Sequence, residues 1–182
     1  MVLVAALNCG ASATQLDLDE CAAAAQTRAN DKELAAFRAA MQRFHDDPTL
    51  HLSEMHWLDA RAGACAFDAS MVEGGSIQPM IEAECNAASA QDRVRDIALF
   101  TGTASTANTA PAVAAEHDRV YGLLELLVTA PQRELLADSE RAWLEYRNIA
   151  CSRARDSCAT ALTRSRTQQL KNSWMAEPFW LP

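Results

Sequence analysis

The sequence predicts an all-α fold: a disulfide-stapled helical bundle built from two related helical-hairpin repeats. Three observations carry this. Alanine is abundant while glycine and proline number only six each among 182 residues, a balance that favours helix over strand. Apolar residues recur at spacings of three and four along most of the chain. The six cysteines are an even number and none stands in a C-x-x-C pair, which points to disulfides rather than a zinc or dithiol redox site. With 49% of residues apolar the chain can bury a core.

Thr14 and Asp17 form a capping-box pattern, after which Leu18, Cys21, Ala22 and Ala25, then Leu34, Phe37, Met41 and Phe44, keep helical spacing. One long helix or two collinear ones should therefore run to about His45. Asp47 caps the next helix and Pro48 occupies its first turn, where a missing N–H costs nothing. Leu50, Met55, Trp57, Leu58, Arg61 and Cys65 carry it onward. The adjacent glycines of Ser70-Met-Val-Glu-Gly-Gly-Ser76 break the helix. A third helix begins between Ser76 and Pro79 and passes through Met80, Ile81, Cys85, Val94, Ile97 and Ala98.

The small polar residues of 101–111 read as a linker. Beyond it, Val113, Val120, Leu123, Leu124 and Leu127 mark a fourth helix. Pro131 opens a fifth, faced by Leu135, Trp143, Tyr146 and Ala150, and a sixth follows Ser157. The domain organisation expected is a first unit over 9–100, the linker, a shortened second unit over 112–175 and an apolar tail over 176–182 that folds back as a strap.

Trp57-Leu-Asp-Ala-Arg61 with Cys65 aligns on Trp143-Leu-Glu-Tyr-Arg147 with Cys151, so the chain repeats itself. A second cysteine follows each, Cys85 or Cys158, and eight residues later an arginine, Arg93 or Arg166. On one unbroken helix Cys151 and Cys158 would lie about 10 Å apart, too far to bridge. A turn must intervene, joining them across a tight helical hairpin. By analogy Cys65 joins Cys85, leaving Cys9 for Cys21; this map rests on the symmetry of the repeat.

The run Cys9, Thr14-Gln15, Cys21, Trp57-Leu58, Arg61, Cys65-Ala66-Phe67, Glu73-Gly-Gly-Ser76-Ile77, Pro79-Met80 and Cys85 resembles the LprI-type lysozyme-inhibitor family of secreted bacterial proteins. Arg141-Ala-Trp143-Leu-Glu-Tyr-Arg147 with Cys151 is similar to a shortened second copy. The resemblance implies a periplasmic or secreted protein that binds and inhibits a muramidase.

No catalytic apparatus is legible: there is no G-x-S-x-G, no phosphate loop, and the cysteines are committed to disulfides. No cofactor is expected. His45, His51 and His56 stand near Asp46, Asp47 and Glu54, but His51 and His56 are five apart on a helix and diverge, so no metal site is expected. The Trp57/Arg61 and Trp143/Arg147 pairs lie one helical turn apart and read as structural stacks that let each arginine reach a nearby acid. The candidate partner-binding residues are Asp68, Ser70, Glu73, Gly74, Gly75 and Ser76, in a disulfide-anchored protrusion fit to enter a cleft. The opening residues are too few for a membrane span, and Cys9 lacks the small preceding residues of a lipidation site. A net charge of −8 disfavours nucleic acid and suits a basic protein partner, such as a lysozyme-like enzyme or a toxin. Two further roles compatible with the sequence are immunity against a secreted toxin and a non-inhibitory envelope adaptor.

Overall fold

The computed structural model of the chain describes residues 14–104 and 108–175. Six helices account for most of them: α1 (Gln15–Arg43), α2 (Pro48–Ser70), α3 (Gln78–Ile97), α4 (Pro111–Leu127), α5 (Ala130–Cys151) and α6 (Cys158–Met175). Each copy of the repeat is thus three helices, α1–α3 and α4–α6.

Local sequence dictates the boundaries. Thr14 and Asp17 close the expected capping box, and Asp47 accepts from the Thr49 N–H at 2.8 Å with Pro48 behind it. α1 ends in a left-handed corner at His45 and Asp46, φ 54° and 57°, where the Asp46 N–H donates back to Met41 O. Polar residues of this kind tolerate positive φ, and the long bond satisfies one of the carbonyls the helix end leaves open. α1 is one continuous helix.

α2 and α5 run antiparallel through the middle. His56 faces Glu145 at 3.5 Å, and Ser70 O accepts from Gln132 Nε2 at 3.0 Å. Between them Gly63 meets Ser139: a Cβ added there would sit 3.2 Å from Ser139 Cα. This absence of a side chain is what lets the two central helices approach. α3 packs on α1, and α4 lies along α6 from Ala110 beside Thr160 to Glu116 beside Lys171.

The two copies share their core. Trp57, Ala60, Ala87 and Ala90 from the first pack with Trp143, Tyr146, Ala150 and Leu162 from the second. A second cluster sets Phe67 of α2 among Val120, Leu124, Leu136 and Leu170. The small side chains permit close helix approach while the two indoles fill volume.

Both described disulfides follow the repeat: Cys65–Cys85 and Cys151–Cys158, each with Cα atoms 5.5 Å apart. Cys9, the expected partner of Cys21, lies outside the described residues, as does the 176–182 tail; no described cysteine is free. The chain leaving α3 is stitched down as far as the first linker residue. Thr101 N–H donates to Arg153 O, Arg155 N–H to Leu99 O, and Phe100 packs edge-on against Phe44 at 5.0 Å.

Several apolar positions differ from expectation. Leu34, Met55, Leu58 and Leu127 continue the helical periodicity yet are exposed. Helices in this bundle are covered on a narrower stripe than the periodicity spans, and alanines at 29, 60 and 64 hold the buried line instead.

Gly63→Val should destabilise the protein by about 1–3 kcal/mol, because backbone rather than a movable side chain opposes the new atoms. Gly122→Ala, with nothing within 4 Å of its added Cβ, should stabilise by about 0.5–1 kcal/mol. Urea denaturation of both variants checks the pair.

Candidate functional site

Aligning Trp57 with Trp143 pairs Ser53-Glu54 with Ser139-Glu140, and these sit opposite the repeated arginines. Arg93, 1% exposed, donates through Nε to Glu54 at 2.9 Å, through one terminal nitrogen to Ser53 Oγ at 3.0 Å and through the other to Tyr146 Oη at 3.1 Å. The Tyr146 hydroxyl in turn donates to Asp96 Oδ2 at 2.7 Å. Burial opposes the charge on Arg93, and Tyr146, Glu54 and Asp96 more than restore it. Arg166, also buried, donates to Glu140 at 3.1 Å, Ser139 Oγ at 2.7 Å and Gln169 at 2.9 Å. These clamps are structural. The sequence showed the arginines; the Ser-Glu pair four and three residues before each Trp was the signal for their partners.

The aromatic–arginine stacks form as expected, with Arg61 4.6 Å from the Trp57 ring centroid and Arg147 5.1 Å from that of Trp143. Neither arginine closes an ion pair: Arg61 donates to Asn30 Oδ1 and Arg147 to Asn148 Oδ1. Glu33 approaches the first clamp from α1. Burial, together with the facing Glu54, pushes its pKa up to about 7, and one of its oxygens has no hydrogen-bond partner. In the second copy His117 of α4 takes that place. Its ring stacks on Trp143 at 5.2 Å and its Nε2 lies 3.3 Å from Glu140 Oε1. His51 instead pairs with the Phe37 ring, and His45 occupies the α1–α2 corner.

The candidate partner-binding residues divide. Glu73, Gly74, Gly75 and Ser76 form an exposed turn, with Gly74 at φ 75° and its N–H donating to Gln78 Oε1. Asp68 and Ser70 belong to the last turn of α2 and face inward. Asp68 accepts from Ser173 Oγ of α6, and burial pushes its pKa up to about 6. Ser70 Oγ donates to Phe67 O. Both lie in the last turn of α2, where Asp68 meets α6 and the Ser70 carbonyl meets α5.

Sequence reasoning did not single out the neighbour of this turn. Met71 packs against the cluster containing Val128, and the Gln132 bond ties the end of α2 to the start of α5. The α4–α5 corner therefore stands beside the C-terminal end of α2, presenting Leu126 and Leu127 at 80% and 56% exposure.

A duplicated three-helix unit, stapled by one hairpin disulfide per copy and carrying an exposed turn, defines a two-copy helical scaffold. The chain belongs to the LprI lysozyme-inhibitor family, whose model matches residues 8–97 and, a second time, residues 105–170. The crystal structure of an uncharacterized protein from Burkholderia thailandensis has the same fold, with a TM-score of 0.69 at 16% identity over 88% of this chain and 87% of that one. No curated protein matches the chain.

Arg93→Ala should cost about 3–5 kcal/mol, since it leaves Glu54 and Asp96 buried without their cation; thermal denaturation reads this. Glu33 and Asp68 both have raised folded pKa values, so each takes up a proton on folding. Their contribution is complete below the ordinary carboxylate range and is lost as pH rises through about 6 to 7. Glu116, held down to about 2 by Arg119 and Lys171, acts in the opposite sense only at lower pH. Tm should fall between about pH 5 and pH 8, and Glu33→Gln, which stays neutral throughout, should reduce that fall.

Proposed function

We propose that the protein inhibits a lysozyme-like muramidase in the bacterial envelope by placing the 73–76 turn in the enzyme's active-site cleft. The observation that carries this reading is the turn itself. It is exposed, left-handed at Gly74, and held by the Cys65–Cys85 bridge between two helices. A loop on so stiff a base loses little conformational entropy on binding. The surface around it suits a basic enzyme: Glu73 and Glu134 are exposed there, Glu125 is part-exposed, and Leu126 and Leu127 offer an apolar anchor. Arg133 is the cation of this corner, and it donates to the backbone carbonyls of Glu125 and Val128. The net charge of −8 steers a cationic partner at long range. Family membership supports inhibition of a lysozyme as the activity.

The oxidised protein should inhibit cell-wall lysis by at least one muramidase class in a dose-dependent way. Glu73→Lys should raise the inhibitory concentration about tenfold, more steeply at low salt. Leu126→Ser/Leu127→Ser should raise it by a similar factor that does not depend on salt. No inhibition of any muramidase class would transfer the reading to an immunity or adaptor role.

A further inference from the structure

The two copies of the repeat have diverged on their outer faces. In the first, α1 and α2 run antiparallel side by side: Asn30 accepts from Arg61 at 3.1 Å, and further along α1 the Phe37 ring lies 6.5 Å from that of His51, earlier on α2. Leu34 stands between Asn30 and Phe37, and Leu58 between His51 and Arg61, so both border this seam. Leu52 and Met55 continue the row from Leu58 at the three-residue spacing that makes neighbours on a helix. All four are exposed, Met55 by 53% and the leucines by 41% or 42%. The second copy lacks this row. The alignments that set His117 in the place of Glu33 and Trp143 in the place of Trp57 set Asp118, Asp138 and Arg141 where Leu34, Leu52 and Met55 stand. The fold therefore accepts charge at these positions, and a contiguous apolar row there marks a contact surface.

The charges beside the row say what covers it. Asp31, Leu34, Ala35 and Arg38 follow the i, i+3, i+4, i+7 pattern of one helix face, and all four are exposed. Asp31 and Arg38 are two turns apart, about 10 Å along the axis. Among the described residues neither has an ionic partner within the chain. Such a face is complementary to itself. When a second α1 is laid antiparallel on the first, with a two-fold axis between Leu34 and Ala35, each Asp31 meets the partner's Arg38 and the two leucines meet at the centre. The second copy of the repeat has Ala115 and Gly122 in place of the two charged residues. Together α1 and α2 present a surface about 30 Å long and 20 Å wide, on the order of 600 Å² per protomer. Counted from both protomers this is about 1,200 Å², the lower end of what a specific interface buries.

We propose that the chain forms a two-fold dimer through the outer face of α1 and α2, with Leu34, Met55 and Leu58 at its centre and two Asp31–Arg38 ion pairs flanking them. The 73–76 turn follows the C-terminal end of α2, about 20 Å along the helix from this centre. Antiparallel pairing sends the two turns to opposite ends of the dimer, so neither is covered. The dimer stands whether or not that turn enters a muramidase.

Sedimentation equilibrium of the oxidised protein, from micromolar to submillimolar concentration, tests this. An interface of this size should give a reversible monomer–dimer equilibrium with a Kd on the order of 10 µM. Met55→Glu/Leu58→Glu should weaken it about thirtyfold or more, because it places charge at the apolar centre. Asp31→Arg sets cation against cation twice and should weaken it about tenfold. Asp31→Arg/Arg38→Asp should bring the affinity back to within about threefold, a rescue that requires the two positions to face each other across the two-fold axis. Leu126→Ser/Leu127→Ser should leave the dimer unchanged. All these positions are exposed, circular dichroism checks that each variant folds, and the charge exchange serves independently if Met55→Glu/Leu58→Glu does not. A monomer throughout the range overturns the proposal and leaves the apolar row to a different chain. So does a dimer that survives in folded Met55→Glu/Leu58→Glu, one lost in Leu126→Ser/Leu127→Ser, or a charge reversal that the exchange fails to rescue.

Discussion

A guanidinium that is nearly solvent-free keeps its charge only if the surrounding chain brings anions and acceptors to it. Arg93 and Arg166 impose this requirement once in each copy, and the helix arrangement answers it. Serine and glutamate one residue apart on α2, and again on α5, place a hydroxyl and a carboxylate at the same guanidinium. The first clamp also reaches across to Tyr146 of the second copy, and through it to Asp96. A hydrophobic core of alanines is weakly directional; the clamps fix which helix faces which. Breaking either would strand a buried charge, which is far more costly than losing a surface ion pair.

The duplication explains the architecture and its asymmetry together. Antiparallel α2 and α5 put the two copies head to tail, with Gly63 and Ser139 in close approach. Each end of the bundle therefore joins the α2–α3 or α5–α6 hairpin of one copy to the first corner of the other. At one end the short Cys151–Cys158 hairpin is pinned to the chain leaving α3 by the Phe100–Ala154 bridge. At the other the longer Cys65–Cys85 hairpin carries the exposed glycine turn, and Leu126 and Leu127 are exposed at the end of α4. Residues that carry equivalent positions have also drifted: Glu33, which burial and Glu54 keep partly protonated near neutral pH, is matched by His117. A carboxyl facing a carboxylate needs a shared proton, whereas an imidazole can face one without it.

Much of this was determined by the sequence alone. Helix limits were legible because they depend on local chemistry: Thr14 with Asp17, Asp47 with Pro48, the paired glycines at 74 and 75, and Pro111 and Pro131 near helix starts act within a turn of themselves. The repeat made two disulfides legible, because a bridge across a hairpin needs only the positions of its cysteines and a turn between them. What only the tertiary structure decided is which face of each helix is covered. Leu34, Met55, Leu58 and Leu127 share the apolar period of buried neighbours, and Asp68 sits only five residues before the exposed Glu73. Exposure of the leucines and the inward position of Asp68 at Ser173 both follow from contacts between helices distant in sequence. Periodicity states that a helix has an apolar side; the direction in which that side is buried belongs to the partner helix.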